Sequence, residues 1–189
     1  MQEGVLFGTR KAGEAGARRS EFFHKQASSS RLRGGRNGNG SVAAVLEHSE
    51  RQKVVLVVED LPEVTERIVE SISGNGFDAI YTAMNQRDAL ECLQNLEEAP
   101  VLLITDLVFP KHKGEGTVRQ DEEGDTVVVL AGIKLIREAK QLFPNMLILV
   151  QSSASAEARQ LAMEAGADRV ISKKELGNLF EMVHEMIDG

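Results

Sequence analysis

The sequence predicts a doubly wound α/β domain, a parallel sheet with helices on both faces. Two observations carry that prediction. From Lys53 onward, short apolar runs alternate with stretches of helical period, the pattern of a parallel sheet built from crossover helices. The runs are also continuous rather than alternating. Lys53-Val-Val-Leu-Val-Val stops on Glu59-Asp60, Pro100-Val-Leu-Leu-Ile-Thr stops on Asp106, and Val170-Ile171-Ser172 stops on Lys173. Strands buried on both faces read this way.

The first strand is expected at 53–59. Pro62 suits the first turn of a helix reaching about Ser73, with Val64, Ile68, Val69 and Ile72 inward. Gly74-Asn75-Gly76 ends it, and a second strand covers 77–82. Asn85 or a neighbour caps a second helix whose Ala89, Leu90, Leu93 and Leu96 share a face. The third strand is 101–105. Further helices are expected at 132–142, 154–165 and 175–187, with strands at 146–151 and 168–172. Cys92, Met163, Met182 and Met186 fall at helical spacings and read as packing, and the four histidines as surface groups.

One connection is too long. Gly132, at the start of the third helix, lies 26 positions after Asp106, where strand-to-helix loops usually run about 2–6 residues. The extra segment, about 111–130, is predicted to be a β-hairpin with arms near 117–120 and 126–130. Glu123-Gly124-Asp125 supplies turn chemistry and the Val-rich second arm favours strand. Its position beside Asp106 suggests a gate or a partner-selecting element, against the simpler reading of a tolerated surface insertion.

Composition bounds the function. Apolar residues make up 42% of the chain, enough for a core, and the single cysteine excludes a disulfide framework and suits a reducing cytoplasm. No apolar run approaches the roughly 20 residues of a membrane helix, and the first ten residues lack a secretory leader's apolar stretch. Residues 1–52 carry nine basic and five acidic side chains, net +4, while 53–189 carry thirteen against twenty-four, net −11. The first segment, rich in Gly, Ser and Arg, is expected to be a disordered tail. It reads either as a docking arm for RNA or an acidic partner, or as a passive extension, and the second is preferred. The acidic domain argues against direct DNA binding.

Glu59, Asp60, Asp106 and Lys173 are thus predicted at one sheet edge, where open α/β sheets bind ligands. Clustered carboxylates invite a hard divalent cation, and a nearby ammonium suits a phosphoryl group. Val57-Val-Glu-Asp-Leu-Pro62, Ile104-Thr-Asp-Leu-Val-Phe-Pro110 and Gly166-Ala-Asp-Arg-Val-Ile-Ser-Lys173 resemble the receiver domain of two-component response regulators, over residues 53–189. The resemblance implies five parallel strands in order 2-1-3-4-5, with Asp106 the phosphoacceptor. It implies Mg²⁺ held by Asp60, Asp106 and the Val108 backbone carbonyl, with Glu59 direct or through water. Lys173 would pair with the phosphoryl group. For the fourth strand's hydroxyl, counting back from Gly166 lands on Gln151 and reading forward lands on Ser152. Ser152 is chosen for its short donor, with Ser153 as fallback.

Two departures stand out besides the insertion. Val170 replaces the aromatic residue whose rotation reports phosphorylation in the family, and Lys174 replaces a proline. The resemblance implies a stand-alone, cytoplasmic response regulator, with Mg²⁺ as cofactor and a histidine kinase or phosphotransferase as donor. Its downstream protein partner would sit on the helix 4–strand 5–helix 5 face. The alternatives are a phosphate-independent binding module and an aspartyl-phosphate phosphatase. The latter is opposed by Val108, where that chemistry wants a second aspartate.

Overall fold

The first expected strand and its neighbours assemble as the alternation requires. A computed structural model describes residues 26–27, 52–120 and 126–189. In chain order the elements are β1 (Gln26–Ala27), β2 (Val54–Val58), α1 (Pro62–Ile72), β3 (Ala79–Ala83), α2 (Gln86–Asn95), β4 (Leu102–Thr105), β5 (Val118–Gln120) and β6 (Thr126–Val128). There follow α3 (Ala131–Leu142), β7 (Leu147–Gln151), α4 (Ala156–Glu164), β8 (Arg169–Ile171), a 3-10 turn (Lys173–Asn178) and α5 (Leu179–Asp188).

The main sheet runs β1-β3-β2-β4-β7-β8. Its last five strands are parallel and stand in the expected order 2-1-3-4-5. Every residue of β2 and β4 is buried, which is why both strands are apolar apart from Thr105. One face of the sheet (Leu56, Val58, Leu103, Ile148, Val150) packs on Leu93, Leu135, Ile136 and Ala162 from α2, α3 and α4. The other (Val55, Val57, Ile104, Leu149) packs on Ile68, Ile72, Leu179 and Val183 from α1 and α5. Cys92 is buried in the first layer.

Helix starts follow local chemistry. Asn85 accepts from the Asp88 N–H at 3.0 Å to open α2, and Ser155 accepts from the Ala158 N–H at 3.3 Å to open α4. Between β4 and α3, β5 and β6 form the expected antiparallel ribbon, with Val118 opposite Val128. Its turn, 121–125, lies outside the described residues.

Two expectations change. The fifth helix does not begin at 175. Ser172 accepts from the Lys174 N–H and Glu175 accepts from the Ser172 N–H at 2.7 Å, a capping box that opens a tight 3-10 turn. That turn contains Gly177, a poor helix residue, and α5 starts only at Leu179. Met163 is 45% exposed rather than packed, whereas Met182 and Met186 lie against the core. In the segment expected to be a disordered tail, Gln26 and Ala27 pair antiparallel with Ile80 and Ala79. Apart from Gln52, the remainder of that segment lies outside the described residues.

Candidate functional site

Strand register brings the site together. Val58 is level with Thr105, Thr105 with Val150, and Val150 with Val170. One residue further along, Glu59, Asp106 and Gln151 emerge at the same edge, and Lys173 reaches back from beyond β8. Glu59 is fully buried and Asp106 is 5% exposed.

Lys173 joins the two acids. Its Nζ lies 2.7 Å from Glu59 Oε2 and 2.8 Å from Asp106 Oδ2. Glu59 Oε2 also accepts from Gln151 Nε2 at 2.7 Å, and Oε1 from the Leu61 N–H at 3.3 Å. Asp106 Oδ1 accepts from the Leu107 N–H at 2.6 Å. Burial pushes the Glu59 carboxyl above its ordinary range; the Lys173 ammonium opposes this and the Asp106 charge adds to it. Burial alone would lower Lys173, but its hydrogen bonds to Asp106 and Glu59 outweigh that and hold it above its ordinary value. The resting site is therefore two buried acids sharing one ammonium.

The bland readings of these residues do not hold. An acid after a strand is often a helix cap, yet the cap of α1 is Leu61, without a side-chain bond, and Asp60 caps nothing. Asp106 is no ordinary loop acid, being buried and ion-paired, and Lys173 is only 20% exposed.

Ser152 and Gln151 divide what was expected of one residue. Ser152 is buried and borders the cleft over Asp106, but its Oγ accepts from the Ala154 N–H at 3.2 Å. Gln151 is the residue level with Asp106, and its side chain is the one on the acids. The count back from Gly166 pointed to it. Ser153, the fallback, lies exposed on the same cleft.

Oxygen donors for a cation are present. Asp60 is half-buried and makes no hydrogen bond or ion pair among the described residues. Gln151 Oε1 is buried without a partner. Among the described residues no three His, Cys, Asp or Glu side chains cluster closely enough to hold a metal by themselves. Oxygen donors of this kind suit an ion that keeps its waters and takes one or two carboxylates, as Mg²⁺ does.

The cleft over Asp106 has a volume of about 480 Å³. It is lined by Val108, the hairpin's Val128 and Leu130, Ser152 to Ser155, Ala158 and Lys173. The loop below is held tightly. Pro110 and Lys111 carbonyls accept from the Gln86 and Arg87 N–H groups of α2, and a Cβ on Gly132 would collide with the Asp106 carbonyl oxygen and lie 2.7 Å from Leu107 Cα. Only glycine allows α3 to approach this closely.

No protein-family model matches the sequence, and no curated protein does. Solved structures do. A CheY-like response regulator receiver domain from Methanospirillum hungatei JF-1 is 22% identical over 72% of this chain and 94% of its own, with a TM-score of 0.57. A response regulator from Thermotoga maritima is 23% identical over 73% and 99%, at 0.53. A BeF3-activated DrrB receiver domain is 18% identical over 73% and 99%, at 0.55. The described domain has the fold of response-regulator receiver domains.

Proposed function

We propose that this chain carries a response-regulator receiver that accepts a phosphoryl group on Asp106 from a histidine kinase or phosphotransferase. The observation that carries the reading is Lys173 bridging Asp106 and Glu59 across three strand ends. With Asp106 Oδ1 anchored by the Leu107 N–H, Oδ2 would be the oxygen that attacks phosphorus, and the donor's bond to phosphorus would break as the acyl phosphate forms. Lys173 Nζ, already beside Oδ2, would then pair with a phosphoryl oxygen. Asp60, Asp106 and the Val108 carbonyl would hold Mg²⁺, with Glu59 acting directly or through water. When bound, the ion would offset the negative charge brought by the phosphoryl group.

Output would come from protein–protein contact on the face of α4, β8 and α5. A shallow cleft of about 460 Å³ there is lined by Arg159, Met163, Arg169 and Val170 among others. Residues 1–52 would be an appendage to the receiver unit 53–189. No helix among the described residues is long and apolar enough to cross a membrane, which is compatible with a cytoplasmic site of action. The receiver fold is generally a signalling one, and Val108 stands where a phosphatase of this chemistry would need an acid.

A phosphate-independent binding module is the second reading. Val170, half-buried on β8 against the core, cannot act as a rotating aromatic switch. The test is intact mass after incubation with Mg²⁺ and acetyl phosphate, beside Asp106→Asn. One added phosphoryl group that requires Mg²⁺ and Asp106 supports the first reading; no adduct supports the second.

A further inference from the structure

We infer that the hairpin inserted after Asp106 makes the phosphoryl cleft a poor host for a reacting water, so that Val128 and Leu130 give a modified Asp106 a long lifetime. The inference rests on Asp106 being the phosphoacceptor. Hydrolysis would be a defined step. A water oxygen bonds to phosphorus opposite the Asp106 oxygen, and the bond from phosphorus to that oxygen breaks. Its electron pair returns to the carboxylate, inorganic phosphate leaves, and the water's proton passes to the phosphate or to solvent. The step is fast where a side chain orients the water or takes its proton, an effect of about 10²–10⁴ for well-placed groups.

The cleft lacks such a group among the described residues. Among the described residues that border it, the only carboxylate is Asp106 itself, and there is no His, Asn or Gln. Ser152 and Ser155 hydroxyl oxygens are engaged by the Ala154 and Ala158 N–H groups. Ser153 sits exposed at the rim, with a hydroxyl too weakly basic to take a proton. Lys173 is committed to Asp106 and Glu59 and has no acceptor to offer. Val128 and Leu130 line the cleft with apolar surface instead.

The hairpin is fixed rather than draped there. Its approach is tied to α2 through the Pro110 and Lys111 carbonyls, and the Val129 N–H donates to the Thr117 carbonyl at 2.7 Å where the ribbon closes. Two residues beyond β6, Leu130 is the cap of α3. A donor's phosphorylated group carries its own leaving atom and needs no base from the cleft, whereas water does. The wall therefore discriminates between loading and loss.

The full-length protein would be loaded with Mg²⁺ and acetyl phosphate, freed of donor, and followed by intact mass over time. Wild type, Val128→Gln and Val118→Gln would be compared. Val118 is Val128's cross-strand partner and equally exposed, but it does not border the cleft. The expected result is loss about tenfold faster in Val128→Gln, with Val118→Gln decaying as wild type. Equal half-lives in all three would overturn the inference while leaving the phosphoacceptor reading intact. Equal acceleration in both variants would also overturn it, because hairpin integrity and not the wall would then set the rate. A wild-type protein that never gains the group would sink both readings together.

Discussion

Replacing Lys173 with methionine would expose the electrostatics on which the site is built. Methionine keeps most of the stem and removes the ammonium, leaving Glu59 and Asp106 buried with their charges facing each other. Breaking a buried pair by deleting one partner costs about 3–5 kcal/mol. The lower end applies here: Lys173 is 20% exposed, Glu59 keeps Gln151 Nε2, and Asp106 keeps the Leu107 N–H. The expected loss is about 3 kcal/mol near neutral pH. At roughly 2–4 °C per kcal/mol for a chain of this size, the melting temperature should fall by about 6–12 °C. The sign of the pH dependence follows. Without the ammonium, the Glu59 carboxyl, already raised by burial, rises further, so the folded variant takes up a proton that the unfolded chain does not. The deficit is present above that folded value and closes as pH falls toward the ordinary 4.5. Paired melts of wild type and variant at pH 7.5 and pH 5 would measure it. A deficit below about 1 kcal/mol, or one equal at both pH values, would refute the claim that Lys173 neutralises two buried acids.

Glu59→Gln removes a carboxyl whose folded value lies above its unfolded one, a group that costs stability at high pH. The variant should be more stable at pH 7.5, and urea titrations should show the gain vanishing as pH drops through 4.5. Gly132→Ala places a Cβ against the Asp106 and Leu107 backbone. It should cost about 2–3 kcal/mol in urea and, if Asp106 is the phosphoacceptor, slow phosphoryl uptake as its backbone shifts; an unchanged midpoint would refute the close approach. Burial pushes the Cys92 thiol up to about 12. A thiol reagent at pH 8 should therefore label it only in denaturant, and rapid native labelling would contradict its placement in the core.

Much of this fold was legible because burial on both faces leaves a plain mark. Val54–Val58 and Leu102–Thr105 read as strands from apolar continuity alone, and the two hairpin arms from their β-branched residues and the turn chemistry between them. The misses share a different cause. The start of α5 was set by Ser172 and Glu175 capping a tight turn, and the exposure of Met163 by which face of α4 the sheet leaves open. The pairing of Gln26–Ala27 with β3 is a long-range contact that local composition does not encode.

Within the site, the acids and the lysine were legible as strand ends, but two things depended on register and reach. Gln151 is level with Asp106 only because Thr105 pairs with Val150, and its side chain is long enough to reach Glu59, which a serine's is not. The sharing of Lys173 is also invisible in the sequence, and it bears most directly on signalling. Glu59 Oε2 takes donors from both Lys173 and Gln151. If Lys173 follows the phosphoryl group, Glu59 keeps only Gln151 and Leu61, and the strand ends of β2, β4 and β7 must redistribute one charge among them. Such a redistribution can bias two conformations without an aromatic rotor, because what shifts the population is a difference in contacts and not the identity of the residue that moves. Under the proposed phosphorylation, Val170 would rule out an aromatic rotor at that position and leave the contacts at the strand ends to bias the two conformations.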